Sequence, residues 1–178
     1  MARGFHDTSI DEVAERAGYS KGAVYWHFAG KDDLFLALIE EHVDRPAREM
    51  IDLLQSAPVS QDMAPEASRR FIELLSGQRD WLLLEQEYWL QAVRDPELAR
   101  RYAERRSELR KALGEALAAR VQALGTGEIE GDPERIATVI MALNIGLAQQ
   151  ALVDPAAVPD DLLGETISLI YKGLVSRA

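Results

Sequence analysis

The chain has 178 residues, 47% of them hydrophobic, enough apolar side chain for a sizeable core and too much for wholesale disorder. A net charge of −10 argues against a protein that coats nucleic acid regardless of sequence, and the lack of cysteine excludes disulfides and thiol nucleophiles and points to a cytoplasmic home. No uninterrupted apolar run approaches the roughly 20 residues that span a bilayer, and residues 1–7, MARGFHD, do not read as a signal peptide, so no membrane partner is expected.

In residues 8–31, Ile10, Val13, Ala14 and Ala17 recur at i, i+3, i+4 and i+7, the apolar stripe of an amphipathic helix. Ser9-x-x-Glu12 fits a capping box at its start, and Gly18 stands where a helix ends in a left-handed residue. Ser20 caps a second helix over residues 21–28, on which Val24 and Phe28 take the buried side. Lys21, Gly22 and Tyr25 lie on another face, flanked by Trp26 and His27. This is the outline of a helix-turn-helix whose second helix suits a DNA groove. From Arg16 to Lys31 there are three basic residues and no acidic one, a local reversal of the overall charge.

A long helix starts at Lys31 or Asp32, with Leu34, Phe35, Leu38, Ile39 and His42 or Val43 as its stripe. Pro46 should kink or restart it, because proline lacks the N–H and crowds the preceding turn. Residues 56–65 read as a loop, and residues 65–75 as a helix that Gly77 ends. Asp80 is expected to cap a helix over 81–94 with apolar residues on more than one face, hence largely buried. Asp95-Pro96 opens a helix to Leu124, about 45 Å long at 1.5 Å per residue. Its inner stripe is Leu98, Tyr102, Leu109, Leu113, Leu117, Val121 and Leu124. Its outer face, Arg100, Arg101, Glu104, Arg105, Glu108 and Lys111, reads as solvated surface, and His6 and His42 as surface residues.

After a polar turn at 125–131, Asp132-Pro133 starts another helix, apolar nearly all round from Ile136 to Ala148. One side of it faces its own core. The other needs a partner, and Ala142 and Gly146 permit a second helix to approach. The last helix covers residues 161–175. Strand alternation is missing throughout, so the expected fold is all-α: a helix-turn-helix domain over 1–45 followed by a larger helical domain over 46–178.

The opening stretch resembles the TetR family of bacterial transcriptional repressors. The residues that carry the likeness are Gly4-Phe5, Thr8-Ser9-Ile10, Val13-Ala14, Ala17-Gly18, Ser20-Lys21-Gly22, Tyr25, His27-Phe28, Lys31 and Leu34, in the family's order and spacing. The resemblance implies a homodimeric regulator, dimerised through helices at about 132–151 and 161–175, that binds a palindromic operator in double-stranded DNA and answers to a small-molecule effector. It implies that Lys21, Gly22 and Tyr25 face base edges. Ser20, Trp26, His27 and Lys31 would contact phosphate. Ala23 occupies a position where many members carry a hydroxyl. For the effector it points to Phe71, Trp81, Glu85, Tyr88, Trp89, Tyr102, Met141 and Asn144; of these, Trp81, Tyr88 and Trp89 fit plain core better than a pocket, Glu85 fits a pocket or a solvated face, and Asn144 fits a ligand contact or the dimer seam. Pro46 becomes a hinge through which a ligand shifts the recognition helices. One departure stands out: the family's first helix is represented only by residues 1–5. Val13, Val24 and Phe28 would then lose cover, and operator binding is expected to be weak.

Two other function classes compete with this reading. An enzyme lacks support: there is no Gly-rich phosphate loop and no G-x-S-x-G, and the residues three before His6, His27 and His42 are Arg3, Val24 and Ile39, so the Glu-x-x-His of helical metal enzymes does not occur. No cofactor is expected. The alternative is a dimeric helical ligand-binding or interaction protein that has lost DNA binding.

Overall fold

The computed structural model describes residues 8–77, 79–124 and 131–175, and every regular element among them is a helix. α1 (Ile10–Arg16) begins with the expected capping box: the Ser9 hydroxyl accepts from the Glu12 N–H at 3.2 Å, and the Glu12 carboxylate accepts from the Ser9 N–H at 3.0 Å. It ends on Gly18 at φ +76°, with the Tyr19 N–H donating to the Ala14 carbonyl at 2.9 Å and the Gly18 N–H to Glu15 at 3.1 Å. The turn delivers α2 (Lys21–His27), whose first amides are capped by Ser20. Ile10 and Ala14 are buried as the stripe requires, but Val13 is exposed, and α2 has no buried residue; Val24 and Phe28 are half-buried.

α3 (Lys31–Ile39), a π-helical turn (Glu40–Asp44) and α4 (Arg45–Ser56) form one continuous helical path. The kink expected at Pro46 takes this form instead of a break. Pro46 offers no N–H to the ladder and its ring crowds the turn before it, so the turn widens and the Arg45 N–H reaches back to Glu40. The boundary placed at 45/46 thus falls inside a continuous helix.

The body consists of α5 (Ala64–Gly77), α6 (Arg79–Ala92), α7 (Pro96–Ala123), α8 (Pro133–Val153), a 3-10 turn (Pro155–Ala157) and α9 (Leu162–Val175). α7 and α8 open alike: the carboxylates of Asp95 and Asp132 cap the first amides, and a proline follows where no N–H is needed. Asp80 lies inside α6 and does not precede it. Three apolar clusters hold the helices. Phe35, Leu36 and Ile39 of α3 pack on Leu84, Tyr88 and Ala92 of α6. Ile51 and Leu54 of α4 pack on Leu109, Ala116 and Leu117 of α7. Phe71, Leu82, Ala148, Val158 and Leu163 join α5, α6, α8 and α9. At Gly164 the backbones of α5 and α9 nearly touch: a Cβ there would stand 2.3 Å from the Ala64 carbonyl oxygen.

Several expectations need correction. α6 is not buried on all sides, since Leu83, Trp89 and Leu90 are exposed within one chain, as is Val93 just beyond its end. Arg101 and Arg105 are not solvated surface. Arg101 pairs with Asp33, and Arg105 donates to the Asp44 carboxylate, to the Leu36 carbonyl at 2.6 Å and to Glu40 at 2.7 Å. His42 is half-buried and stacks on Trp81 with ring centroids 4.0 Å apart. In α8 only Ala137 and Ala148 are buried. This helix is long and apolar enough, by length and composition, to cross a membrane, a property hidden from a search for uninterrupted apolar runs because Thr138 and Asn144 break them.

Candidate functional site

Two surfaces could carry function: the outer face of α2 and a cavity inside the body. α2 is short because its register is set from both ends, by the Ser20 cap and by Phe28, which leaves the helix in an extended conformation. Lys21, Gly22, Ala23, Tyr25, Trp26 and His27 are all exposed, and Trp26 keeps 82% of its surface open. A Cβ at Gly22 would meet nothing within 4 Å, so its backbone is approachable. Trp26 and His27 meet edge to face at 4.7 Å. Lys21 donates to Asp11 of α1 at 2.5 Å, and that hydrogen bond, with the charge of Asp11, raises the pKa of its ammonium. The contact holds the side chain over α1, so reaching a DNA base requires exchanging Asp11 for the base. Ser20 directs its hydroxyl to the Ala23 N–H at 3.2 Å and is in the first place a helix cap. Lys31 is half-buried at the start of α3. Tyr19, in the turn before α2, is 66% exposed.

The cavity has a volume of about 620 Å³ and is bounded by α4 to α9. Of the residues singled out from sequence, Phe71, Glu85, Met141 and Asn144 stand on its wall. The other four aromatic candidates do not. Tyr88 is fully buried and stacks on Phe35 of α3 at 4.6 Å, which makes it a core residue beneath the linking helix. Trp81 covers His42, and Trp89 lies on the exposed face of α6, 45% open. Tyr102 stands behind the wall and donates its hydroxyl to Glu85 at 3.1 Å. α6 turns Tyr88 toward α3, Trp81 toward His42 and Trp89 to solvent, and its cavity side carries Leu82, Glu85 and Gln86; Tyr102 belongs to α7 and is held behind the wall by Glu85.

Glu85 and Arg106 form an ion pair at one end of the cavity, with Tyr102 bridging. Burial and the Glu85 carboxylate push the Tyr102 hydroxyl up to about 12. Burial works against the Arg106 charge, but Glu85 and Tyr102 outweigh it and its pKa rises. At the other end Arg120 is buried at 6% exposure. It donates to the carbonyls of Leu54, Ala57, Pro58, Val59 and Gln61 at 2.6–3.3 Å. Arg106 and Arg120 were missed in the sequence. The signal was present: Arg106, Leu109, Leu113, Leu117, Arg120 and Leu124 recur at steps of three and four, a single cavity-facing stripe on α7 with a cation near each end. Among the described residues no group of three or more His, Asp or Glu could hold a metal ion.

Comparison with known proteins places both surfaces in a family context. Residues 1–38 match the model of bacterial regulatory proteins of the tetR family, and residues 66–168, more than half of the chain, match that of the BetI-type transcriptional repressor C-terminal region. The chain is 31% identical over 99 residues to the transcriptional activator FasR of Mycolicibacterium smegmatis, a match covering 54% of this chain and 43% of FasR, so it spans less than half of that relative. It is 25% identical over 178 residues to the regulator YdgC of Bacillus subtilis, covering 98% of this chain and 86% of YdgC. Among solved structures, the multidrug binding protein EbrR complexed with ethidium superposes with a TM-score of 0.65 at 27% identity, over 94% of this chain and 88% of EbrR.

Proposed function

The chain belongs to the TetR family of bacterial transcriptional regulators, and from that premise we propose that it is a ligand-responsive repressor that binds a palindromic operator as a homodimer. The observation that carries the reading is the pairing of an exposed α2 that has no buried residue with a mostly aliphatic cavity in the same chain. Lys21, Gly22 and Tyr25 enter the major groove, where lysine donates to guanine and glycine lets the backbone approach. Trp26, His27, Lys31 and the first turn of α2 at Ser20 and Ala23 face phosphates and set register.

Dimerisation is supported by α8 and α9. Val139, Ala142, Gly146 and Val153 recur at helical spacing on the uncovered side of α8, Leu169 is 69% exposed on α9, and a Cβ at Gly146 would meet nothing within 4 Å. A second copy covers this apolar face in water, which accounts for its membrane-like composition in a cytoplasmic regulator. Two α2 helices then present to successive major grooves about 34–36 Å apart or a multiple of that. The cavity takes the effector, as EbrR takes ethidium, and the continuous path from α4 to α3 carries its effect to α2.

The test is selection of duplexes from a random library by the purified chain, with the oligomeric state read by sedimentation. The expected result is an inverted repeat, bound by a dimer with an affinity that falls steeply with salt because phosphate contacts release counterions. A dimer that enriches no sequence would favour the ligand-binding protein without DNA binding.

A further inference from the structure

Most buried charges in this body meet an opposite charge: Asp44 meets Arg105, and Glu85 meets Arg106. Arg120 does not. It is buried, it lines the cavity, and among the described residues its partners are five neutral carbonyls with no carboxylate in ion-pair range. Carbonyls satisfy N–H donors but leave the formal charge in a low-dielectric wall, where an anion is strongly favoured and a second cation disfavoured. Beside it on the cavity wall, the Tyr171 hydroxyl is buried against the Arg120 guanidinium and finds no acceptor for its own proton among the described residues. Arg120 lies close enough to oppose the rise that burial imposes on that hydroxyl's pKa. A hydroxyl facing a guanidinium turns its lone pairs toward it and leaves its own proton in need of an acceptor. The other charges on this part of the wall are Lys172 and Asp62, whose carboxylate caps α5 through the Ala64 N–H at 2.9 Å.

From Arg120 the wall of α7 runs through Leu117, Leu113 and Leu109 to Arg106, fourteen residues of helix or about 21 Å. We propose that the cavity binds a long-chain aliphatic carboxylate, its head between Arg120 and Tyr171 and its tail along this leucine stripe toward the neutralised Glu85–Arg106 pair. The proposal rests on reading the cavity as the effector site and names the chemistry of what enters it. It also supplies a point of action. Arg120 holds the carbonyls of Leu54 and Ala57 at the C-terminal end of α4, so a carboxylate that draws on the guanidinium acts directly on the helix that continues into α3.

The experiment is calorimetric titration of the full chain with sodium decanoate, decan-1-ol and decyltrimethylammonium, each below its aggregation threshold. Decanoate is expected to bind at least tenfold more tightly than either of the others. In Tyr171→Phe that preference should fall at least threefold with an unchanged melting temperature, which keeps the test open if Arg120→Met fails to fold. Equal or tighter binding of the alcohol or the ammonium, or an unaltered preference in Tyr171→Phe, overturns the carboxylate and leaves the effector cavity standing. No saturable binding of any of the three counts against both.

Discussion

The head of the molecule and the joint behind it are built on opposite terms. α2 buries none of its residues and is held by a cap, a turn and half-buried Val24 and Phe28. The joint, where α3 and the π-helical turn meet α6 and α7, is dense. Phe35, Leu36 and Ile39 are buried there, Asp44 is 1% exposed, and Arg105 alone joins three points of the linking helix. The contrast teaches where specificity and stability reside. On the proposed reading, the surface that meets DNA leaves Gly22, Tyr25, Trp26 and His27 exposed and ties Lys21 only to Asp11, and the joint that passes on small displacements is made of groups that cannot move singly.

The comparison breaks most visibly at Asp44. Asp44→Asn removes the buried partner of Arg105 and should cost about 3 kcal/mol, less than the upper end for a severed buried pair because Glu40 and the Leu36 carbonyl remain. Chemical denaturation would read this as a lower midpoint with little change in slope. The head answers more softly: Ser9→Ala removes one side of the capping box and should cost about 1 kcal/mol of local stability, visible as faster amide exchange in α1 and no change in α7.

The smallest effect is pH dependence at the edge of the joint. The Arg101 guanidinium and the Ala29 N–H hold the Asp33 carboxyl below the usual carboxylate range. A depressed folded value means that its contribution is complete above the unfolded value of about 3.9 and is lost as pH falls below it, with no change between pH 6 and 9. A melting series across acid pH should lose this part of its slope in Asp33→Asn. An unchanged acid slope would place the dependence elsewhere.

Much of this was legible in the sequence wherever the cause was local. The capping box, the left-handed Gly18, the Asp-Pro starts of α7 and α8 and the disturbance at Pro46 are each set by a few adjacent residues. The exposed face of α2 followed from its spacing. What was not legible depends on pairing across the chain. Asp44 and Arg105 lie 61 residues apart, and Arg105 carries no mark that separates it from exposed Arg100. The rings of α6 suited plain core or a pocket wall, and their spacing alone does not choose between the two. Their partners, Phe35 for Tyr88 and His42 for Trp81, are decided by how α3 and α6 meet. The cations on the α7 stripe could have been found by applying to Arg106 and Arg120 the same helical spacing that picked out the leucines.

The most direct test of the division between head and joint measures DNA affinity and melting temperature on the same preparations of wild type, Lys21→Ala and Tyr25→Ala, using the duplex that selection enriches. Both variants should lose at least tenfold in affinity, and both should melt within about 1 °C of wild type, because neither side chain is buried. Affinity unchanged in both variants, or affinity and melting temperature falling together, would contradict the account.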